Sequence, residues 1–450
     1  MNTHNISNAE QDVYQDPPFG NTLVVGAGPA GINVAVNISN GWCKGIGLLN
    51  RKGLHTEKLE KELKLNDYII TSKAQGDKHL HLCGQTKLSH FYGGCEDIDD
   101  IWQTIIMCTP SDSYNDIIDR LNLDSLEEVR NIILISPSIG SNFLINSRLK
   151  KLKERIDVIS FSTYFAATKL EPGNPSCIVS FTKALKKHIY IASSKENSTV
   201  IFDVKKFIEN LGIKCTVVQN TIEAESKNIT TYVHPPLFIN KFSLDQIFSY
   251  EKSNRYMYKI YPEGPITQHS IKAMVLLWKE ISELIQYFDA KPINLLKFLN
   301  DDNYPVHEVT LSREDIENFV ELDQIEQEYL LYIRYSAILI DPFSKPDKNG
   351  KYFDFSSVSY KQVCRDENGK WIIPRVPFED YKKLKLIFGL AQKVDIHMPQ
   401  TMKLIKLFEE KLDEFIRKNG ENSFYPEIFK DTTQDDVDGM FEEIEKIMSY

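Results

Sequence analysis

The sequence predicts an α/β chain: an N-terminal doubly wound domain followed by a mainly α-helical C-terminal domain with a small β insertion. Three observations predict it. From residue 20 to about 220, short continuous apolar runs alternate with helix-like segments, the pattern of a mainly parallel sheet covered on both faces. The first run feeds directly into Gly-x-Gly-x-x-Gly and then a helix-like stretch, which is the Rossmann arrangement. After about residue 222 the pattern changes to long helical periodicity.

Residues 1–19 are polar, contain Asp12, Asp16 and the pair Pro17-Pro18, and lack the basic and apolar segments of a signal peptide, so a flexible tail and a cytoplasmic protein are expected. The first strand is Leu23 to Val25. Gly26 then allows a tight turn, Gly28 removes any side chain between backbone and a pyrophosphate, and Gly31 lets the following helix approach the strand. Pro29 and Ala30 complete the motif ahead of a helix-like stretch, Ile32 to Ile38, and free N–H groups at a helix start suit an anion. The second strand, Gly45 to Leu49, ends at Asn50, Arg51 and Lys52, with Lys58 beyond. An NAD or FAD site usually places a carboxylate there for the ribose hydroxyls. A carboxylate repels a 2′-phosphate, whereas Arg51 binds one bidentately, so the cofactor expected is NADP(H). The plainer account is a solvated basic turn. Further strands are expected at 104–108, 131–136, 158–161, 188–192 and 214–218. Thr109 and Pro110, then Ser136 and Pro137, follow two of them, where open sheets place ligand loops. The dinucleotide-binding domain is therefore drawn over 20–222.

The second domain, 223–450, is expected to serve substrate binding and dimerisation. Helices are expected at 271–288, 325–340, 381–394 and 402–417, and a terminal amphipathic one carries Val437, Met440, Phe441, Ile444, Ile447 and Met448 on one face. The turns Asn349-Gly350 and Asn368-Gly369 flank strand-like runs, predicting a β excursion at about 351–375.

At 450 residues the chain exceeds the usual size of one core. Its formal net charge of −10 argues against a nucleic-acid partner. No apolar run approaches the ~20 residues of a membrane span. Seven scattered cysteines suit reduced thiols better than a disulfide framework. His79, His81 and Cys83 would share one face of a strand, with His90 and Cys95 following, but the spacing matches no standard zinc pattern and no metal is expected.

His234 follows an apparent helix and precedes Pro235 and Pro236, which restrict the backbone beside it. From spacing alone a proton-exchanging and a structural histidine fit equally.

Several segments occur in a fixed order after the glycine motif: 136–141 (SPSIGS), 158–164 (VISFSTY), 232–238 (YVHPPLF), 261–267 (YPEGPIT), 303–306 (NYPV) and 335–343 (YSAILIDPF). Together they resemble the opine dehydrogenases that make nicotianamine-like metallophores, the staphylopine, pseudopaline and yersinopine dehydrogenase group, from about residue 20 to about 380. The resemblance implies a homodimer and an NADPH-dependent reductive condensation of a 2-oxo acid, pyruvate or 2-oxoglutarate, with the primary amine of a histidine-derived aminobutyrate, as the last step of metallophore synthesis. It implies general acid–base duty for His234, with Asp341 as first choice of carboxylate partner and Glu263 as second. Both could equally be a helix cap or turn carboxylate. Arg334 and Lys259 are candidate substrate cations, and Tyr164 and Asn228 candidate hydrogen-bond donors. Some relatives carry Asp where Ala167 stands. An alanine removes repulsion against a second carboxylate, which favours tolerance of 2-oxoglutarate. Competing readings are a flavin monooxygenase, a reductase of another 2-oxo acid on the same architecture, and a non-catalytic NADP sensor.

Overall fold

The computed structural model describes residues 16–75, 77–171, 173, 176–339 and 358–448. Twelve strands precede residue 220: β1 (Asn21–Val25), β2 (Gly45–Leu49), β3 (Ile69–Ala74), β4 (Gly84–Lys87), β5 (His90–Tyr92), β6 (Thr104–Met107), β7 (Asn131–Leu134), β8 (Asp157–Phe161), β9 (Ala166–Leu170), β10 (Val179–Leu185), β11 (His188–Ser193) and β12 (Lys214–Val217). Eight of them form one sheet in the order β12-β11-β8-β7-β6-β1-β2-β5. The six from β8 to β5 are parallel, while β11 runs antiparallel to β8 and parallel to β12. Apolar residues fill these strands because both faces are covered. The strand order reverses at β1 and β6, so the loops after these two strands diverge and open a crevice at their carboxyl ends.

A second sheet, β4-β3-β10-β9, has no counterpart in the sequence reading. It explains the helix Pro29–Ile38, which is apolar almost all round and buried from Gly31 to Ile38. A surface helix would show a polar face. This one lies against both sheets, and its polar Asn33 donates from Nδ2 to Ser72 Oγ (3.0 Å) and Thr182 Oγ1 (3.1 Å).

Beyond residue 220 the described residues are mainly helical. The expected helices appear as Gln268–Tyr287, Gln324–Leu339, Arg375–Lys393, Pro399–Asn419 and Thr433–Met448. The β excursion is reduced, among the described residues, to β13 (Cys364–Arg365) and β14 (Trp371–Ile372) around the Asn368-Gly369 turn. Its earlier part lies outside the described residues. The terminal helix returns to the N-terminal half and packs on the helix Ser141–Leu149 that covers the first sheet. Val437, Met440 and Ile444 are buried, and Asp436 meets Arg148 (3.0 Å) while Glu443 meets Lys153 (2.8 Å).

Two expectations are corrected. His79–Cys83 is not a strand: Asp77–Leu82 forms a 3₁₀ turn kinked at His79, and His81 Nε2 lies 3.1 Å from Leu211 O. His234 does not follow a helix but sits within one, Ile229–Phe238, which also contains both prolines. Asn228 caps its start, and Ile239 N–H closes its last turn on Pro235 O at 2.8 Å.

Candidate active site

The glycine loop has the shape a dinucleotide needs. A Cβ on Gly31 would stand 1.8 Å from Gly26 O, so the helix sits as close to the strand as glycine alone permits. Gly26 has φ of +105°, and a Cβ there would meet Thr109 Cγ2 at 2.8 Å. Gly28 faces open space, with nothing within 4 Å of its missing Cβ. That gap at a helix start is what a phosphate approach requires. Pro29 occupies the first helical position and Ala30 the next.

Asn50 ties the end of β2 to this loop. Its Oδ1 accepts from Ala27 N–H (3.2 Å) and its Nδ2 donates to Thr56 Oγ1 (2.8 Å). Arg51 and Lys58 are exposed beyond it, while Lys52 pairs with Glu96 at 3.1 Å. The second strand thus ends without a carboxylate, as its sequence predicts. Thr109 and Pro110 leave β6, and the Thr109 hydroxyl is buried without a hydrogen-bond partner among the described residues. Ser136 and Pro137 leave β7. These residues therefore fit a dinucleotide phosphate and ribose at the crevice.

The loop after β7 is braced from the helical half by Glu225. This fully buried carboxylate accepts from the N–H groups of Gly140 and Asn142 and from Ser160 Oγ, each at 2.8 Å. Burial pushes its pKa up to about 8, although Ser160, Asn142 and Gly140 pull the other way.

His234 faces Asp380. Nδ1 stands 3.4 Å from Asp380 Oδ2, with the two side chains 19% and 4% exposed. That carboxylate oxygen is buried and has no hydrogen-bond partner among the described residues. A small rotation of the imidazole would give it one, a tightening common when such sites fill. The ring lies 5.1 Å from the Phe238 ring, which Tyr258 meets edge-on at 5.5 Å. The helix Arg375–Lys393 that carries Asp380 crosses the carboxyl ends of the sheet. Lys382 pairs with Asp112 (3.0 Å), three residues after Thr109, and Leu390 Cδ1 stands 3.3 Å from where a Gly140 Cβ would be. The acid–imidazole pair is thus built on the element that roofs the loops after β6 and β7.

Sequence reasoning missed Asp380. A signal existed: Asp380, Leu384, Ile387 and Ala391 follow i, i+4, i+7, i+11 spacing, so an acid interrupts an apolar stripe. The helix was drawn from Tyr381, which left the acid just outside it. Of the carboxylates that were expected, Asp341 lies outside the described residues and Glu263 is exposed in its turn.

Three expected substrate contacts have other tasks. The Tyr164 hydroxyl is buried and donates to Asn33 Oδ1 (2.8 Å), joining its loop to the glycine-motif helix. Asn228 Oδ1 accepts from Thr230 N–H (3.1 Å) and Thr230 Oγ1 (2.8 Å), so it caps the helix bearing His234. Arg334, 2% exposed, donates to Leu299 O (2.7 Å) and Tyr304 O (2.9 Å), and burial lowers its pKa to about 10. It holds backbone rather than facing a cleft. Lys259 lies over the Tyr256 ring, 5.5 Å from its centroid, and Ala167 is exposed on β9. No group of three or more His, Cys, Asp and Glu among the described residues is placed to hold a metal ion. No described helix is long and apolar enough to cross a membrane.

Comparison with known proteins gives four concordant matches. A family model described as staphylopine dehydrogenase matches residues 20–444. Pseudopaline synthase of Pseudomonas aeruginosa is 39% identical over 427 residues, covering 95% of this chain and 98% of the relative, and staphylopine synthase of Staphylococcus aureus is 40% identical over 338 residues, covering 75% and 78%. The NADP+-bound structure of yersinopine dehydrogenase superposes with a TM-score of 0.87 at 31% identity, covering 95% of this chain and 99% of that one.

Proposed function

This chain belongs to the staphylopine dehydrogenase family, an NADP(H)-dependent oxidoreductase of the opine type, and from that premise we propose that it condenses a 2-oxo acid with the primary amine of a histidine-derived aminobutyrate in the last step of an opine metallophore synthesis. The observation that carries the proposal is the pairing of His234 with Asp380, the latter on the helix roofing the nucleotide loops.

NADPH supplies the reducing hydride when bound. Gly26, Gly28, Gly31 and the start of the helix Pro29–Ile38 would hold its pyrophosphate, and Asn50, Arg51 and Lys58 its phosphorylated ribose. Thr109, Pro110, Ser136 and Pro137 would border its nicotinamide end. Asp380 orients the His234 ring through Nδ1. That leaves Nε2 to give a proton to the departing carbinolamine hydroxyl and to take one from the attacking amine. Phe238, itself backed by Tyr258, walls the ring, which limits the water competing for that proton. The exposed methyl group of Ala167 supports acceptance of 2-oxoglutarate. Homodimerisation and a cytoplasmic location belong to the same proposal, the first checked by sedimentation equilibrium.

NADPH oxidation measured over a matrix of amines and oxo acids, with NADH as control, tests the reading. Turnover should need both an amine and an oxo acid. Reduction of the oxo acid alone would overturn it in favour of a simple 2-oxo acid reductase, and use of pyruvate but never 2-oxoglutarate would overturn the Ala167 assignment.

A further inference from the structure

Lys186 is a cation without a counter-charge at the ligand edge of the sheet. It lies between β10 and β11, and its N–H donates to Phe165 O at 2.8 Å. Because β11 runs antiparallel to β8, its first residues stand where β8 ends, the edge from which the glycine loop and the loops after β6 and β7 also emerge. From there the Lys186 side chain reaches the helical half, where Asn303 Oδ1 lies 3.5 Å from the ammonium.

The acids around it are engaged elsewhere. Asp302 faces His188 Nδ1 (3.4 Å) and accepts from the Tyr190 hydroxyl (2.9 Å). Asp301 takes Arg313 bidentately at 2.9 and 3.0 Å. Glu223 pairs with Lys227 at 3.2 Å. Lys186 makes no ion pair among the described residues, and burial draws its pKa below the ordinary lysine value with no acid offsetting it. An ammonium withdrawn from water without an anion is unfavourable. Such a group is explained when a ligand brings the anion. On the adjoining β9–β10 ladder Ala167 pairs with Ala184, and Ala166 with Leu185. Lys186 thus stands at the same carboxyl edge of the sheet as the loops that would hold the nucleotide.

We propose that the Lys186 ammonium, with the Asn303 amide beside it, receives a substrate carboxylate remote from the reacting carbon. This rests on the reductive condensation above. The carboxylate comes either from the far end of a 2-oxo diacid or from the amine substrate, and the experiment separates the two.

Lys186→Met and Lys186→Arg are compared with wild type at saturating NADPH. The methionine variant should raise one KM by about 30-fold or more, with kcat little changed and partial recovery in the arginine variant. A rise for 2-oxoglutarate but not pyruvate assigns the diacid; a rise for the amine alone assigns the amine. Three unchanged KM values would overturn the proposal. Calorimetric titration of glutarate and of the aminobutyrate amine into NADP+-saturated protein needs no turnover. Wild type should bind one of them, and Lys186→Met should lose that binding while keeping the wild-type melting profile. Equal binding to both proteins, or no binding to wild type, would overturn the proposal. A wild type that binds such a ligand, loses it in the variant and turns over no substrate pair would leave the anion receptor standing and remove the condensation reading instead.

Discussion

At the scale of single residues, the site rests on a contact between His234 and Asp380 that neither residue can make alone. Its 3.4 Å spacing and the unsatisfied Asp380 oxygen describe a pair poised to tighten. His234→Gln should lower kcat by about 10²–10⁴-fold while NADPH affinity, read by fluorescence titration, stays near wild type. Asp380→Asn should also lower kcat without weakening the cofactor. Full activity in that variant would remove the carboxylate from the mechanism. Arg51 acts at the other end of the crevice. Arg51→Ala should raise KM for NADPH by about tenfold, the loss of one charge-assisted pair, and leave KM for NADH unchanged. An equal effect on both nucleotides would show that Arg51 does not read the 2′-phosphate.

At the scale of elements, the catalytic geometry depends on where helices begin and on what they touch. The helix bearing His234 starts at Asn228, whose side chain accepts from Thr230. Asn228→Ala should cost about 1 kcal/mol in thermal or urea unfolding, and Asn228→Asp should recover most of it. Loss of substrate affinity with unchanged stability would instead make Asn228 a ligand contact. The glycine-motif helix shows how tertiary contacts shape an element. Its sequence is apolar almost all round, and a second sheet of four strands covers what would be its outer face. Those strands were hard to see because β3, β4 and β9 mix polar and apolar residues and lie half exposed, so no continuous apolar run marks them.

At the scale of the whole molecule, the helical half is fastened to the sheet by buried polar groups. Glu225 reaches from the helix Thr221–Ser226 to the loop after β7. Its folded pKa, about 8, lies above the ordinary 4.5, so the folded state holds the proton more firmly. The sign follows: this contribution to stability is fully present below the unfolded pKa and is lost as pH rises through about 8. The melting temperature of wild type should therefore fall relative to Glu225→Gln between about pH 5 and pH 8. Parallel melting curves across that range would show that Glu225 titrates alike in the folded and unfolded chain. The terminal helix is a second fastening, through Arg148–Asp436 and Lys153–Glu443.

The sequence by itself determined the parts written in local pattern. Leu23 to Gly31 specify a strand, a tight turn and a helix start through the glycine spacing alone, and Asn50-Arg51 stand in plain view where a ribose carboxylate is usual. The long helices follow from periodicity, and His234 stands out beside its prolines. Only the tertiary structure decided what His234 faces, because Asp380 lies 146 positions further along and their meeting depends on two helices packing face to face. The same reason decides which groups Tyr164, Asn228 and Arg334 bond: Asn33, Thr230 and the carbonyls of Leu299 and Tyr304. A side chain's residue type is local, but whether its polar atoms are already bonded to other parts of the chain is fixed only when distant segments close around it.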